Sequence, residues 1–145
     1  MTANPLPGRV MAVDYGSRRV GVAVSDPLRI LAAGRGTLSN TPALLEELRS
    51  LAAAEEVALI VVGMPYAPDG GKGKKGEEVE TFIGRLRDAV DVPVESWDES
   101  FTSVRAHRAF LDGGMKKKQR REKGRVDEMA ARLLLQEYLE NTRHP

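Results

Sequence analysis

Four acidic residues stand out because of where they fall. Asp14 closes the Val-rich run Val10-Met11-Ala12-Val13 and is followed by Tyr15-Gly16. An isolated ionised carboxylate in a buried strand would cost several kcal/mol, so it needs a partner, a cation or a raised pKa. Asp98 and Glu99 follow a second strand-like run, Val92-Pro93-Val94-Glu95-Ser96-Trp97. Asp127 sits in the first turn of a C-terminal helical pattern. At 100° per residue, Ala130, Ala131, Leu134 and Tyr138 lie within about 60° of it, so Asp127 belongs to the apolar stripe.

Each acid has a plainer reading: an Asp-x-Gly turn, a strand end, and an N-terminal Asp that complements a helix dipole. Taken together they describe something else. Three carboxylates drawn close repel one another unless a cation neutralises them. With no Cys and only two His in the chain, an oxygen-only donor set suits Mg²⁺ or Mn²⁺. Such ions promote in-line displacement at phosphorus. The two His, His107 and His144, form no ligand pair.

The elements that must position these acids can be read in order. Strands are predicted over 9–16, 19–26 and 30–38, the third weakened by its glycines. Ser39-Asn40-Thr41-Pro42 signals a helix start, and Leu44, Leu45, Leu48, Leu51 and Ala52 share its inner face. A continuous apolar strand covers Val57 to Val62 and ends at Gly63; residues 64–76 read as a loop. A second helix turns Val79, Phe82, Ile83, Leu86 and Val90 inward, and the strand over 92–97 follows. A third helix, capped by Thr102 or Ser103, runs to about Leu111, and the last spans about Val126 to Asn141. A hairpin meander followed by alternating helices and strands implies an α/β fold, a mixed sheet with helices packed on it. In open α/β sheets, sites lie beyond the carboxyl ends of the strands.

Charge is unevenly spread. Residues 116–125 carry seven cations and one anion, a local +6, against a net charge of +1 for all 145 residues. A basic segment just before Asp127 suits a nucleic-acid backbone; a solvated linker is the plainer alternative. Gly71-x-Gly73-x-x-Gly76 formally matches a dinucleotide fingerprint, but seven residues separate Gly63 from Gly71, where the true motif joins strand to helix directly. Its Lys72, Lys74 and Lys75 read better as phosphate contacts on a loop. No apolar run reaches the roughly 20 residues of a membrane span. Residues 1–8 and 142–145 are expected to be tails around a single domain over 9–141, and the lack of Cys and of a signal-peptide layout predicts a cytoplasmic protein.

Four motifs in order resemble the YqgF/RuvX family, Holliday-junction-resolvase-like nucleases associated with pre-16S ribosomal RNA. They are Asp14-x-Gly16-x-x-Arg19-Val20-Gly21-Val22-Ala23-Val24-Ser25-Asp26; Val61-Val62-Gly63-Met64-Pro65 with Asp69-Gly70; Asp98-Glu99 with Thr102-Ser103 and Ala106; and Asp127-x-x-Ala130-Ala131 with Leu134-Leu135. The resemblance implies a ribonuclease H-like fold: a five-stranded mixed sheet, an antiparallel meander then parallel strands, with helices on both faces. It implies a metal-dependent endonuclease with Asp14, Asp98 and Asp127 as metal ligands and catalytic residues, and Glu99 as reserve ligand or base. The expected substrate is precursor ribosomal RNA or branched DNA. Arg18, Arg19, Lys72, Lys74, Lys75, Arg105, Lys116, Lys117, Lys118, Arg120, Arg121, Lys123 and Arg125 would contact its backbone. One departure matters: the family commonly has Arg after the Asp-Glu pair, and here Ser100 stands there, leaving that role to Arg18, Arg19 or Arg105. A non-catalytic nucleic-acid-binding factor on the same fold, and an actin-like nucleotide hydrolase, are the rival expectations. Monomer and homodimer are both compatible with the sequence.

Overall fold

Period-2 alternation assigns each strand residue to one of two faces, and the computed structural model lets both be followed through residues 7–66, 69–99 and 123–142, which it describes. The described strands are β1 (Arg9–Asp14), β2 (Arg19–Ser25), β3 (Ala32–Ser39), β4 (Val57–Met64) and β5 (Val94–Asp98). They form one sheet in the order β3-β2-β1-β4-β5. The β1–β2 and β2–β3 pairs are antiparallel, and β1–β4 and β4–β5 are parallel. The expected mixed sheet is therefore present, with β1 at its centre.

Three described helices cover the sheet: α1 (Leu44–Ala54), α2 (Gly73–Ala89) and α3 (Lys123–Thr142). Met11, Val13, Val20, Val22, Ile60 and Val62 form one core with α1 and α2. Val10, Ala12, Ala23, Leu59 and Val61 form the second, with Ala131, Leu134, Leu135, Tyr138 and Leu139 of α3. Helices thus lie on both faces. Each buried aliphatic side chain contributes about 1.5–3 kcal/mol, so a central strand apolar on both sides is the best-anchored element for a functional carboxylate.

Several boundaries differ from the sequence expectation. β3 starts at Ala32, not residue 30, because Asp26 accepts the backbone N–H groups of Leu28, Ile30 and Leu31 at 3.1, 2.8 and 2.7 Å and folds 26–31 into a turn. β5 starts at Val94, not 92: Ile60 N donates to the Pro93 carbonyl at 3.0 Å, and pairing begins there. The loop assigned to 64–76 is shorter, since β4 runs to Met64 and α2 begins at Gly73. Buried Gly76 lets this first turn pass close to the Met64 sulfur; a Cβ there would sit 2.9 Å from Lys72 Cβ. Tertiary contact has overridden the poor helix propensity of the glycines. α3 starts at Lys123, so the end of the basic segment is helical. The helix expected over 102–111, and Ser100, lie outside the described residues.

Candidate active site

Asp14 ends β1 and is 7% exposed, one of two buried polar residues among those described. Counting by twos from Val10 and Ala12 puts it on the α3 face. Its antiparallel partner is Gly21. A Cβ on Gly21 would collide with the backbone carbonyl of Asp127 and lie 3.1 Å from Glu128 N. The first turn of α3 therefore rests directly on the residue opposite Asp14. Glycine is required for this close approach; its φ is ordinary.

Asp127 is held by Arg19, whose Nε donates to Oδ2 at 3.2 Å. Arg19 and Gly21 alternate onto the same face of β2, so both meet α3. The next residue, Glu128, reaches over β3, where its carboxylate accepts the Gly36 N–H. A Cβ on Gly34 would stand 2.8 Å from Glu128 Cγ. The β2–β3 register slips between Gly21 and Ala23, and Gly36 has φ +82°, as at a bulge with its glycine in the left-handed region. The glycines that weaken β3 as a sequence pattern are the seat for Glu128.

The structure separates Asp98 from Glu99. Gly63 pairs with Trp97 and Met64 with Asp98. Trp97 packs edge-on against Tyr138 of α3 at 5.2 Å, whereas Met64 belongs to the α1/α2 core. Asp98 therefore faces α1 and α2. Glu99 returns to the α3 face: a Cβ on Gly63 would lie 2.5 Å from Glu99 Oε2 and 3.1 Å from Leu134 Cδ2. Asp14, Glu99 and Asp127 thus share one face at one end of the sheet, each beside a glycine or framed by one. Among the described residues no three Asp, Glu or His side chains are gathered tightly enough to hold a metal ion. The donor chemistry suits a hard cation; the drawn-in geometry is not formed.

The turn between β1 and β2 is pinned from outside. Asn40 Nδ2 donates to the Gly16 carbonyl at 2.8 Å, and Asn40 N to the Arg18 carbonyl at 2.9 Å. Tyr15 stacks on Phe82 at 4.3 Å on the α1/α2 face. Sequence reasoning missed Gly21, Gly34, Gly63 and Glu128; the readable signal was a glycine inside an apolar strand, which marks close backbone approach.

The expected cations scatter. Arg18 is exposed, and Arg19 is engaged with Asp127. Lys72 is ion-paired with Glu80, whose carboxylate holds the ammonium above its ordinary pKa. Lys74 and Lys75 are exposed in the first turn of α2 rather than on a loop. Lys123 and Arg125 fall in the first turn of α3. Arg105, Lys116, Lys117, Lys118, Arg120 and Arg121 lie outside the described residues.

A family profile described as "RuvX: Holliday junction resolvase" matches residues 8–141. The chain belongs to the RuvX family. A Phocaeicola vulgatus relative named "Putative pre-16S rRNA nuclease" is 43% identical over 137 residues, covering 94% of this chain and 98% of its own. A Roseiflexus relative of the same name is 40% identical over 139 residues, covering 94% and 97%. Among solved structures, the fold is similar to Thermus thermophilus RuvC in complex with a Holliday junction substrate, with a TM-score of 0.58, 14% identity and coverage of 94% and 96%. Fowlpox virus resolvase bound to Holliday junction DNA gives 0.51, 10% identity and coverage of 92% and 97%. Both likenesses place this RuvX chain in the resolvase-type, ribonuclease H-like fold. No described helix is long and apolar enough to cross a membrane.

Proposed function

We propose that this chain is a cytoplasmic, Mg²⁺- or Mn²⁺-dependent endonuclease that trims the 5′ end of precursor 16S ribosomal RNA, with its nuclease domain over residues 9–141. The observation that carries the reading is Asp14: a buried carboxylate ending the central strand, opposite the glycine on which Asp127 rests. The family membership and the names of the relatives support the substrate. Asp14, Asp127 and Glu99 would hold the ion, with Asp98 displaced from the ligand role that the sequence suggests for it. When bound, the ion would neutralise charge at the phosphorus and acidify the attacking water.

The chain's own groups divide the remaining work. Glu99, whose Oε2 fills the space that a side chain on Gly63 would take, would accept a proton from that water. Asp14 is fixed by the strand pair and excluded from solvent, which strengthens its electrostatics. Lys74 and Lys75 would meet the substrate backbone, giving affinity without sequence preference. Hydrolysis forms one P–O bond to water and breaks one ester bond, with the proton leaving through Glu99. A second reading, cleavage of branched DNA, is favoured by the fold similarity to RuvC.

The test is to incubate purified protein with precursor 16S RNA and with a four-way DNA junction, in Mn²⁺ and in EDTA, beside Asp14→Asn. Mn²⁺-dependent cutting of the RNA that Asp14→Asn lowers at least about 100-fold, some 3 kcal/mol of barrier, is expected. Equal cutting by both proteins would overturn the assignment, and cutting confined to the junction would select the second reading.

A further inference from the structure

We infer that the cavity between β3 and α3, walled by Gly34, Glu128, Met129 and Arg132, is a base pocket that receives one unstacked guanine of a single-stranded RNA. This deepens the RNA part of the reading above, on which it rests, and is independent of the metal.

One row of α3 runs along the edge of the sheet. Glu128, Arg132 and Gln136 are spaced by four residues and share a helix face, and β3 is the edge strand beside them. Asp26 N donates to the Leu31 carbonyl at 3.2 Å, so antiparallel alternation turns the backbone groups of Ala32 and Gly34 away from β2. The helix takes the first of these: Gln136 Oε1 accepts the Ala32 N–H at 3.0 Å. Beyond the bulge, Glu128 accepts the Gly36 N–H. Arg132 falls between these two in the row. With Gly34, Glu128 and Met129 it lines a cavity of about 350 Å³, within the size range of small-ligand pockets.

Glu128 and Arg132 have the i,i+4 spacing of a helical ion pair, yet Glu128 is drawn across β3 to Gly36. The exposed Arg132 side chain has no ion pair or hydrogen bond among the described residues. The cavity thus presents a planar fork of donors, the outward Gly34 N–H, a thioether, and a carboxylate of which Oε2 is committed to Gly36. The Gly34 carbonyl is taken by Arg35 Nη1 at 3.2 Å. A phosphate would suit the fork but meet the Glu128 carboxylate. The matching ligand is flat, with acceptors for Arg132 and donors for Glu128. Guanine has both: O6 and N7 for the arginine fork, and N1–H and N2–H for the carboxylate. Those edges are open to a protein when the base is unpaired. Cytosine offers O2, N3 and N4–H on a smaller ring and is the nearest competitor; the purine fills more of the cavity. β3 lies two strands from β1, about 10 Å away. An RNA strand crossing Asp14 can therefore set down a base here without leaving the α3 face.

The experiment measures RNA binding by the full chain, using fluorescence anisotropy in EDTA at fixed ionic strength. The probes are short oligouridylates, unaltered or carrying one central guanosine, adenosine, cytidine, inosine or 7-deazaguanosine. Wild type, Arg132→Lys, Arg132→Gln and Glu128→Gln are compared, with thermal unfolding checking that each is folded. Wild type should bind the guanosine probe about 10-fold more tightly than the adenosine, cytidine and all-uridine probes. Inosine, which lacks the N2 amino group, should keep part of that preference, and 7-deazaguanosine, which lacks an acceptor for the fork, should lose most of it. Arg132→Lys keeps the charge but not the fork, so the guanosine-to-uridine ratio should fall toward one, as in Arg132→Gln. Glu128→Gln keeps an oxygen for the Gly36 N–H but turns an amide toward the guanine donors, and should also reduce the ratio. Equal binding of the guanosine, adenosine and cytidine probes by wild type overturns the inference. So does a cytidine preference, or a guanosine preference that Arg132→Lys and Arg132→Gln both retain in full. Cutting of precursor 16S RNA in Mn²⁺ is measured in parallel. Its absence alongside a guanine preference counts against the nuclease reading and leaves the pocket standing; wild type that binds none of the probes overturns the pocket together with the RNA reading.

Discussion

Gly21 and Asp127 touch backbone to backbone: the space a Cβ would need on Gly21 is filled by the Asp127 carbonyl oxygen. That contact fixes the first turn of α3 over the strand pair that holds Asp14, because Gly21 is also Asp14's partner across β1 and β2. One glycine therefore sets the spacing of two candidate catalytic carboxylates.

Gly21→Ala should damage both fold and activity. The added methyl cannot be relieved by a flexible side chain, since its neighbour is main chain, so overpacking should cost about 1–3 kcal/mol. Urea unfolding measures the loss. In the fraction still folded, cleavage should fall further than that of a variant with similar stability loss far from the site, such as Leu48→Val in the opposite core.

Glu99 and Asp98 should separate cleanly. Glu99→Gln removes a carboxylate from the face shared with Asp14, and should lower the cleavage rate by about 100-fold, some 3 kcal/mol of barrier. Asp98→Asn alters a residue aligned with Met64 on the other face and should stay within a few-fold of wild type. Rates measured at saturating Mn²⁺ decide; the reverse order would return Asp98 to the site.

The turn after β2 should be acid-sensitive. Desolvation pushes the Asp26 carboxyl up, but the N–H groups of Leu31, Ile30 and Leu28 outweigh it and hold the pKa below the ordinary value. A carboxyl that binds its proton less tightly when folded contributes stability above its unfolded pKa, and loses it as pH falls through the folded one. Asp26→Ala should thus destabilise by about 1 kcal/mol at neutral pH. The gap to wild type should close below about pH 4, as read by thermal unfolding at a series of pH values.

Tyr138 should show the opposite dependence. Burial, then its hydrogen bond to Glu95 Oε2 at 2.9 Å, pushes its hydroxyl up to about 12. Here the folded state holds the proton more tightly, so the contribution is complete below about pH 10 and is lost as pH rises toward 12. Tyr138→Phe should cost about 1 kcal/mol at neutral pH, with ring packing on Trp97 kept. Its deficit relative to wild type should shrink under alkali, which alkaline denaturation curves can measure.

Much of the architecture was legible in the chain. Val10 to Val13, Val20 to Val24 and Val57 to Val62 read as strands because their apolar residues are continuous, as a strand buried on both faces requires. The inward stripe of the last helix placed Asp127 toward the sheet before any contact was known, because helical periodicity fixes direction. The turn at Asp26 and the start of α2 were misread: the first depends on one side chain collecting three backbone donors, the second on a glycine fitting against Met64. Local propensity contains neither.

The sequence by itself determined which residue types can hold a cation, the order of the elements that carry them, and, through ordered motifs, the family. What the tertiary structure alone decided is which carboxylates share a face. Asp98 and Glu99 are neighbours in sequence, and a single-residue step along a strand end reverses the side that each presents. The choice between them depended on the register of β5 against β4, in which Met64 aligns with Asp98 and Gly63 leaves room for Glu99. Register is set by pairing between distant segments, so it is a property of the folded sheet and not of either strand read alone.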